Sequence, residues 1–282
     1  MQASEAAIAA NRLNVSDLVS SDIADRVRER YEEEFGEPPE QPGGWYRPAD
    51  WKRTSFVLEQ LRPGGRLLDV GAGAGQFANM LASTEQWDSV TALDHTRFGK
   101  YREYFDRIER TDASIVKLPF DDDHFDVVTC MEVLEHVPDD VFLPGIAELR
   151  RVCRGQLVMS VPFQEQEPIS KGHLRRFEPG DISALFPDGR LTLLTRPRMP
   201  WMIIEERLDG SVPPPPERGE YVKIEPDSTA HEREVAQLET RIAQLEAKAE
   251  RLSSRKAIKA ANALGNALRA VEGRVRALRP GR

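Results

Sequence analysis

RLLDVGAGAG, residues 66–75, is the stretch that decides the fold of this chain. A short apolar run that ends at Val70 is typical of a buried parallel strand, and the segment from Gln76 to Ala82 favours a helix. Glycines at alternate positions between them allow a sharp backbone turn and let a ligand approach without a Cβ in the way. The stretch therefore indicates a nucleotide-like cofactor held at a strand-to-helix turn.

The details of this turn favour one kind of cofactor. A dinucleotide site needs G-x-G-x-x-G, whereas Gln76 stands where the third glycine belongs. Asp69 before the turn would repel a pyrophosphate but suits an ammonium group, and a P-loop is excluded because no Gly-Lys-Ser/Thr follows. Ser89–Leu93 predicts the next strand, and Asp94 at its carboxyl end is placed to accept both hydroxyls of a ribose.

These features resemble the class I S-adenosylmethionine-dependent methyltransferases. The likeness continues through KLPF (117–120), HFDVVTC (124–130) and MEVLEHVP (131–138), and it covers roughly residues 50–205. Another Rossmann-like nucleotide binder is the alternative, because a glycine motif alone is a weak signal.

The resemblance implies that S-adenosylmethionine lies over the glycine turn. The residues expected to contact it there are Asp69, Gly71, Gly73, Gly75 and Asp94. Relatives often carry an acidic residue a few positions before Leu-Pro-Phe that contacts the adenine amino group. Asp112 lies slightly earlier than that spacing, so either Asp112 or the backbone of Ile115–Val116 is expected to make this contact.

The order of elements predicts an α/β fold, namely a Rossmann-like, doubly wound, mostly parallel sheet with an antiparallel closing strand. Strands are expected near 66–70, 89–93, 114–117, 125–130 and 156–161, with 191–195 and 201–206 as the closing pair. The methyltransferase domain then spans 51–207, and a cap of helix and loop spans 1–50. In the resembling family such caps cover the cofactor cleft. Trp45 and Tyr46 are either lid residues or packing residues.

The rest of the chain has a different composition. Residues 208–230 include PPPP at 213–216 and predict a stiff, extended linker. Residues 231–282 predict a coiled coil followed by a basic amphipathic helix. The coiled-coil seam consists of Val235, Leu238, Ile242, Leu245, Ala249 and Leu252. We expect self-association through the coiled coil, and residues 251–282 suit either an anionic membrane surface or an oligomer interface.

Composition limits the classes of function. The chain of 282 residues has a net charge of −8, which argues against wrapping a nucleic acid. Its two cysteines, Cys130 and Cys153, lie in apolar surroundings and are expected to be buried thiols. Residues 1–10 carry no secretory pattern, and no apolar run approaches membrane-spanning length. We expect a cytoplasmic location, with peripheral membrane contact at most.

Residues for the acceptor side follow the fourth and fifth core strands. Glu132, Glu135 and His136 are spaced i, i+3 and i+4, so they would share one face of a helical turn. His173 lies in SKGHLRRFEP (170–179), beyond the fifth strand. Methyl transfer from a sulfonium needs no protonated leaving group, so the protein's task is to align the acceptor and weaken its proton.

This arrangement resembles the O-methyltransferases of ubiquinone biosynthesis and the metal-dependent 2′-O-methyltransferases of small RNAs. The resemblance implies a divalent ion, Mg²⁺ or Mn²⁺, chelated by two neighbouring acceptor oxygens. Its implied ligands are Glu132, Glu135, His136 and His173. Without a metal, His136 or His173 is the expected general base, and Glu135 fixes the loop or lines the acceptor pocket.

The leading hypothesis is an O-methyltransferase that acts on a hydroxyl of a sugar, a polysaccharide or a related small molecule. A vicinal diol suits the chelation. A quinone-type phenol is the alternative acceptor, because the run from Glu132 to His136 resembles that subfamily closely. An RNA hydroxyl is less favoured because the chain is acidic and has no appended RNA module. A non-catalytic adenosylmethionine-binding regulator is a hypothesis of a different class, and the intact Asp69 and Asp94 argue against it.

Overall fold

The computed structural model describes residues 8–18, 29–30, 32–33, 48–95, 108–214, 218–224, 242–243 and 271–272. The chain forms two compact units, Met1–Glu225 and Pro226–Arg282. The predicted coiled coil and basic helix lie outside the described residues, apart from the helical pairs 242–243 and 271–272. Trp45 and Tyr46 lie outside them as well.

The described elements of the first unit alternate between strand and helix. The strands are β1 (Ile8–Asn14), β2 (Arg66–Val70), β3 (Ser89–Asp94), β4 (Ile108–Asp112), β5 (Phe125–Met131), β6 (Cys153–Pro162), β7 (Arg190–Thr195), β8 (Trp201–Arg207) and β9 (Glu220–Ile224). The α-helices are α1 (Pro48–Gln60), α2 (Gln76–Ser83), α3 (Asp139–Val152) and α4 (Pro179–Leu185).

Within the described residues these strands form one sheet in the order β4-β3-β2-β5-β6-β8-β7-β1-β9. Neighbours from β4 to β6 are parallel, and β8 runs antiparallel to both β6 and β7. The predicted mostly parallel sheet with an antiparallel closing pair is therefore confirmed.

Helices cover both faces of this sheet because side chains alternate along each strand. On one face Leu67 packs in a cluster that contains residues of α1 and α2. On the other face Leu68 packs in a cluster with residues of α3 and α4. This confirms the doubly wound arrangement. Both cysteines are buried free thiols, as expected.

The strand predicted at 114–117 is wrong. Strand β4 ends at Asp112, and the next residues turn, with Lys117 N donating to Ser114 O at 3.0 Å. Ile115 is buried, which explains why its stretch resembles a strand. β4 itself is an edge strand, and its exposed side chains, such as Glu109 and Arg110, give it a polar sequence.

Two further strands lie in segments where no strand was predicted. β1 falls inside the predicted helical cap, where it pairs in parallel with β7 and antiparallel with β9. β9 falls inside the predicted linker, so residues 220–224 belong to the sheet. The partner strands of β1 lie far from it in sequence, so no local pattern predicts the pairing. Strand β1 is followed by a short 3₁₀ turn, Val15–Asp17, which the Asn14 side chain caps.

None of the described helices combines the length and the apolar character that crossing a bilayer requires.

Candidate active site

The glycine turn joins β2 to α2 at the carboxyl edge of the sheet. Gly71, Gly73 and Gly75 all have positive φ angles, of 76°, 54° and 82°. At Gly71 a Cβ would also overlap the side chain of Val133, so this position has no room for a larger residue. The turn therefore places three positions without a side chain at the carboxyl edge of the sheet.

Asp94, at the end of β3, is tied directly to this turn. Gly73 N donates a hydrogen bond to Asp94 Oδ2 at 2.9 Å, and the Asp94 side chain is 8% exposed. Asp112 lies opposite Asp94 in the β3–β4 register, and it is exposed. The two predicted carboxylates thus end neighbouring strands on the same side of the cleft.

Asp69 is a buried carboxylate with unused hydrogen-bonding capacity. Thr129 Oγ1 donates to its Oδ1 at 2.8 Å, while Oδ2 is buried and has no hydrogen-bond partner among the described residues. Burial raises the pKa of Asp69 to about 7; the Thr129 hydrogen bond opposes this, and nearby Asp94 adds to it. A cation beside Oδ2 would relieve this penalty, so the site fits a ligand with an ammonium group.

Three of the predicted acceptor-side residues come together. One ligand atom from each of Glu135, His136 and His173 lies within 4.8 Å of the other two. The imidazole rings meet edge to face, with centroids 4.9 Å apart. Glu135 and His136 follow β5, and His173 follows β6, so adjacent parallel strands deliver the cluster.

The partners of both imidazoles determine which ring nitrogen is available. His136 Nδ1 lies 3.0 Å from Gly172 O, and His173 Nδ1 lies 2.6 Å from Glu165 Oε2. Carbonyl and carboxylate oxygens only accept hydrogen bonds, so each ring, when neutral, carries its proton on Nδ1. Each ring then presents the lone pair of Nε2.

The Glu165 carboxylate that orients His173 is ionised. Burial acts to raise its pKa, but hydrogen bonds from Ser170 and His173 outweigh burial and lower it below the ordinary value. Glu165 therefore remains an acceptor for the ring.

Glu135 is the buried member of this cluster. Its side chain is 1% exposed, and within the described chain neither of its oxygens has a hydrogen-bond partner. Burial, followed by the nearby carboxylate of Glu132, raises the pKa of Glu135 to about 9. With this pKa the Glu135 carboxyl holds a proton when no cation is near. Once ionised, it is a buried carboxylate beside one ring nitrogen each of His136 and His173, and such a donor set fits a divalent metal ion.

Glu132 is not part of this cluster. The φ of Glu132 is +55°, which is left-handed. Glu132 therefore does not share a helical face with Glu135 and His136, although the sequence spacing predicted that it would. Ser160 Oγ donates to its Oε1 at 2.8 Å, and Arg53 Nη1 and Trp201 Nε1 each lie 2.9 Å from its Oε2. Glu132 is thus held toward the α1 side of the sheet by two hydrogen bonds and one ion pair.

Comparison with known proteins now adds to this geometry. A family model described as a methyltransferase domain matches residues 45–196, more than half of the chain. The chain belongs to the class I S-adenosylmethionine-dependent methyltransferases. This family of enzymes was the one expected from the glycine turn and the motifs that follow it.

The methyltransferase also resembles individual curated proteins. It is 27% identical over 155 residues to "Probable S-adenosylmethionine-dependent methyltransferase MT3114" of Mycobacterium tuberculosis, covering 51% of this chain and 54% of that protein. It is 32% identical over 133 residues to "Ubiquinone/menaquinone biosynthesis C-methyltransferase UbiE" of Burkholderia mallei, covering 44% and 54%. The chain therefore spans about half the length of the curated relatives it matches.

Among solved structures, a SAM dependent methyltransferase from Aquifex aeolicus is 17% identical. The match has a TM-score of 0.44 and covers 55% of this chain and 89% of that one.

Sequence reasoning missed two residues of the methyltransferase site. Glu165 stands in an irregular loop, where no spacing links it to His173. Arg53 lies on α1, and no sequence pattern distinguishes it from the other charged residues there, yet it is 9% exposed. A buried arginine on a helix that covers the sheet needs a carboxylate partner, but the sequence does not show which one.

Proposed function

We propose that this methyltransferase transfers a methyl group to a hydroxyl oxygen of a sugar, a polysaccharide or a related small molecule, with a divalent metal bound by Glu135, His136 and His173. The observation that carries the proposal is the meeting of the buried Glu135 carboxyl, which has no hydrogen-bond partner in the described part of the chain, with one ring nitrogen each of His136 and His173.

On the cofactor side, S-adenosylmethionine when bound supplies a methyl group on a sulfonium. The unused Oδ2 of Asp69 accepts the ammonium group of the methionine moiety. Asp94 accepts hydrogen bonds from the ribose hydroxyls, and Asp112 accepts a hydrogen bond from the adenine amino group. The glycine turn admits the nucleoside close to the backbone.

On the acceptor side, a bound divalent ion lowers the pKa of a hydroxyl that it coordinates. Glu135 contributes negative charge from a buried position, and His136 and His173 contribute neutral nitrogen ligands. Two imidazoles and one carboxylate suit Mn²⁺ better than Mg²⁺, which prefers oxygen ligands. Without a metal, the Nε2 lone pair of either imidazole is positioned to act as a general base.

The number of protein ligands to the metal favours an acceptor with two neighbouring hydroxyls. Three protein ligands leave positions open on an ion that prefers six, and two neighbouring hydroxyls occupy two of them by chelation. This requirement supports a vicinal diol, as found in sugars.

The test is methyl transfer from labelled S-adenosylmethionine, after exhaustive EDTA treatment and after return of Mn²⁺ or Mg²⁺. Acceptors are a glycan extract and a catechol, and NMR of the product distinguishes methyl on oxygen from methyl on carbon. We expect activity on the glycan that is lost with EDTA and restored by Mn²⁺. Full activity after EDTA would refute the metal, and methyl on carbon would refute O-methylation.

A quinone or phenol acceptor is the second candidate. It is favoured by the 32% identity to a protein named as a ubiquinone/menaquinone biosynthesis C-methyltransferase. Transfer to the catechol but not to the glycan would support it. Tight binding of S-adenosylhomocysteine without transfer to any acceptor would instead support a non-catalytic regulator.

We further propose self-association through 231–252 and peripheral contact of 251–282 with anionic membranes, in a cytoplasmic protein that binds no nucleic acid. The sequence pattern supports both roles. Light scattering of the full chain and of Leu238→Asp/Leu245→Asp tests the first role. Sedimentation with vesicles of anionic or neutral lipid tests the second.

A further inference from the structure

We infer that Glu165 is a positioning residue that directs Nε2 of both imidazoles toward Glu135. It acts on His173 through a direct hydrogen bond and on His136 through the turn at 170–173. The consequence for catalysis rests on the function proposed above, whereas the orientation itself is a property of the protein alone.

Glu165 uses both of its oxygens in this role. Oε2 lies 2.6 Å from His173 Nδ1. Oε1 accepts two hydrogen bonds from Ser170, from N at 2.9 Å and from Oγ at 2.5 Å. The side chain is only 5% exposed. Three donors therefore point at one carboxylate, which accepts at both oxygens and donates at neither.

The same contacts fix the turn that orients the second imidazole. His173 N donates to Ser170 O at 3.0 Å, and Gly172 between them has a φ of +98°. Gly172 O is the acceptor for His136 Nδ1. By holding Ser170, Glu165 sets the start of the turn whose carbonyl selects the His136 tautomer.

Holding the loop closed does not require Glu165. Gln164 N donates to Phe177 O at 2.9 Å, which joins the two ends of the loop. Leu174 N donates to Glu135 O at 2.7 Å, which ties the loop to the neighbouring one. Burying a carboxylate costs free energy. Because these two backbone hydrogen bonds already hold the loop, the buried Glu165 is explained best by the imidazole ring that it orients.

Glu165→Gln gives a sharp expectation. The backbone N–H of Ser170 needs an acceptor, so the amide oxygen faces Ser170 and the amide NH₂ faces His173 Nδ1. Nδ1 must then accept, and the proton moves to Nε2. The variant thus keeps the size of the side chain, but the proton on Nε2 of His173 prevents that nitrogen from binding a metal ion. Glu167→Gln is the matched control, because Glu167 is exposed in the same loop.

The experiment measures imidazole ¹⁵N shifts at pH 8 in the full-length, metal-free protein, with His173 assigned through His173→Gln. We expect the Nδ1–H tautomer of His173 in the wild type and in Glu167→Gln, and the Nε2–H tautomer in Glu165→Gln. An Nε2–H tautomer in the wild type would overturn the inference whether or not the variant folds.

Mn²⁺ binding by calorimetry gives the second readout. We expect Glu165→Gln to weaken Mn²⁺ affinity by about 10- to 100-fold, the usual effect of replacing a residue that hydrogen-bonds to a metal-bound histidine. We expect Glu167→Gln to leave the affinity unchanged. Wild-type affinity in Glu165→Gln would overturn this inference alone. An Nδ1–H tautomer in a wild-type protein that binds no Mn²⁺ would refute the proposed metal and support the orientation assigned to Glu165.

Discussion

Replacing Asp69 by asparagine is expected to change the stability of the cofactor-free protein in a way that depends on pH. Burial, opposed by the Thr129 hydrogen bond, raises the pKa of Asp69 from 3.8 to about 7. The unfolded chain therefore ionises near pH 4, whereas the folded protein keeps the proton until about pH 7. The stability contributed by the protonated form is complete below pH 4 and is lost as the pH rises to 7.

The magnitude follows from the same two values. Each pKa unit corresponds to about 1.4 kcal/mol, so ionised Asp69 lowers the free energy of unfolding by roughly 4 kcal/mol above pH 7. Asparagine removes this penalty but leaves its amide without a partner at the Oδ2 position, at a cost of about 1–3 kcal/mol that does not vary with pH. Between pH 5 and pH 8 the variant should gain roughly 3 kcal/mol relative to the wild type.

Urea unfolding of both proteins at pH 5 and pH 8, without cofactor, measures this change. Asp126→Asn is the control, because hydrogen bonds from Arg66 and Arg154 outweigh burial and lower the pKa of Asp126. Its difference from the wild type should be the same at both pH values. An equally constant difference for Asp69→Asn would refute the account of Asp69. Calorimetry should also show at least tenfold weaker binding of S-adenosylhomocysteine, because roughly 1.5–3 kcal/mol of charged hydrogen bonding is lost.

Three further outcomes are expected. Glu135→Gln should weaken Mn²⁺ binding by at least about tenfold, because replacing even a hydrogen-bond partner of a metal ligand has an effect of that size. Glu132→Gln should change the affinity by less than about twofold in the same calorimetry. Equal losses of affinity would show that both residues bind the metal. Gly71→Ala should lower the urea midpoint more than Gly64→Ala, since both have positive φ but only Gly71 would also strike Val133; equal shifts would exclude the steric contact. Arg53→Met should destabilise by about 3–5 kcal/mol, because it leaves Glu132 without its charge partner, and thermal melting that is unchanged would contradict this.

The central part of the fold could be predicted because its signals are local. A buried strand, a glycine turn and a helix follow one another within 66–83, and their types depend on neighbouring residues. The closing pair, β7 and β8, could be predicted for the same reason. β1 and β4 could not be predicted. β4 is an edge strand with a polar sequence, and β1 depends on partners more than 170 residues away.

The candidate site shows the same division. Asp69, Asp94 and the glycines follow strands directly, so their place at the sheet edge could be inferred from sequence. Glu132 departs because a left-handed φ and a contact with Arg53, 79 positions earlier, override the helical spacing. Tertiary contacts of this kind carry no sequence period, and Glu165 was missed for that reason.

The pairing of β1 with β9 has a consequence for how the catalytic unit can be rearranged. Ile8 is the register partner of Ile224, so the first and last described residues of that unit face each other across one rung of the sheet, roughly 5 Å apart. A short glycine-rich bridge would span that gap, and new ends opened in the surface turn near Gly64 would yield a circularly permuted enzyme. Such a permutant would separate the catalytic unit from residues 226–282 while both edge strands keep their pairing.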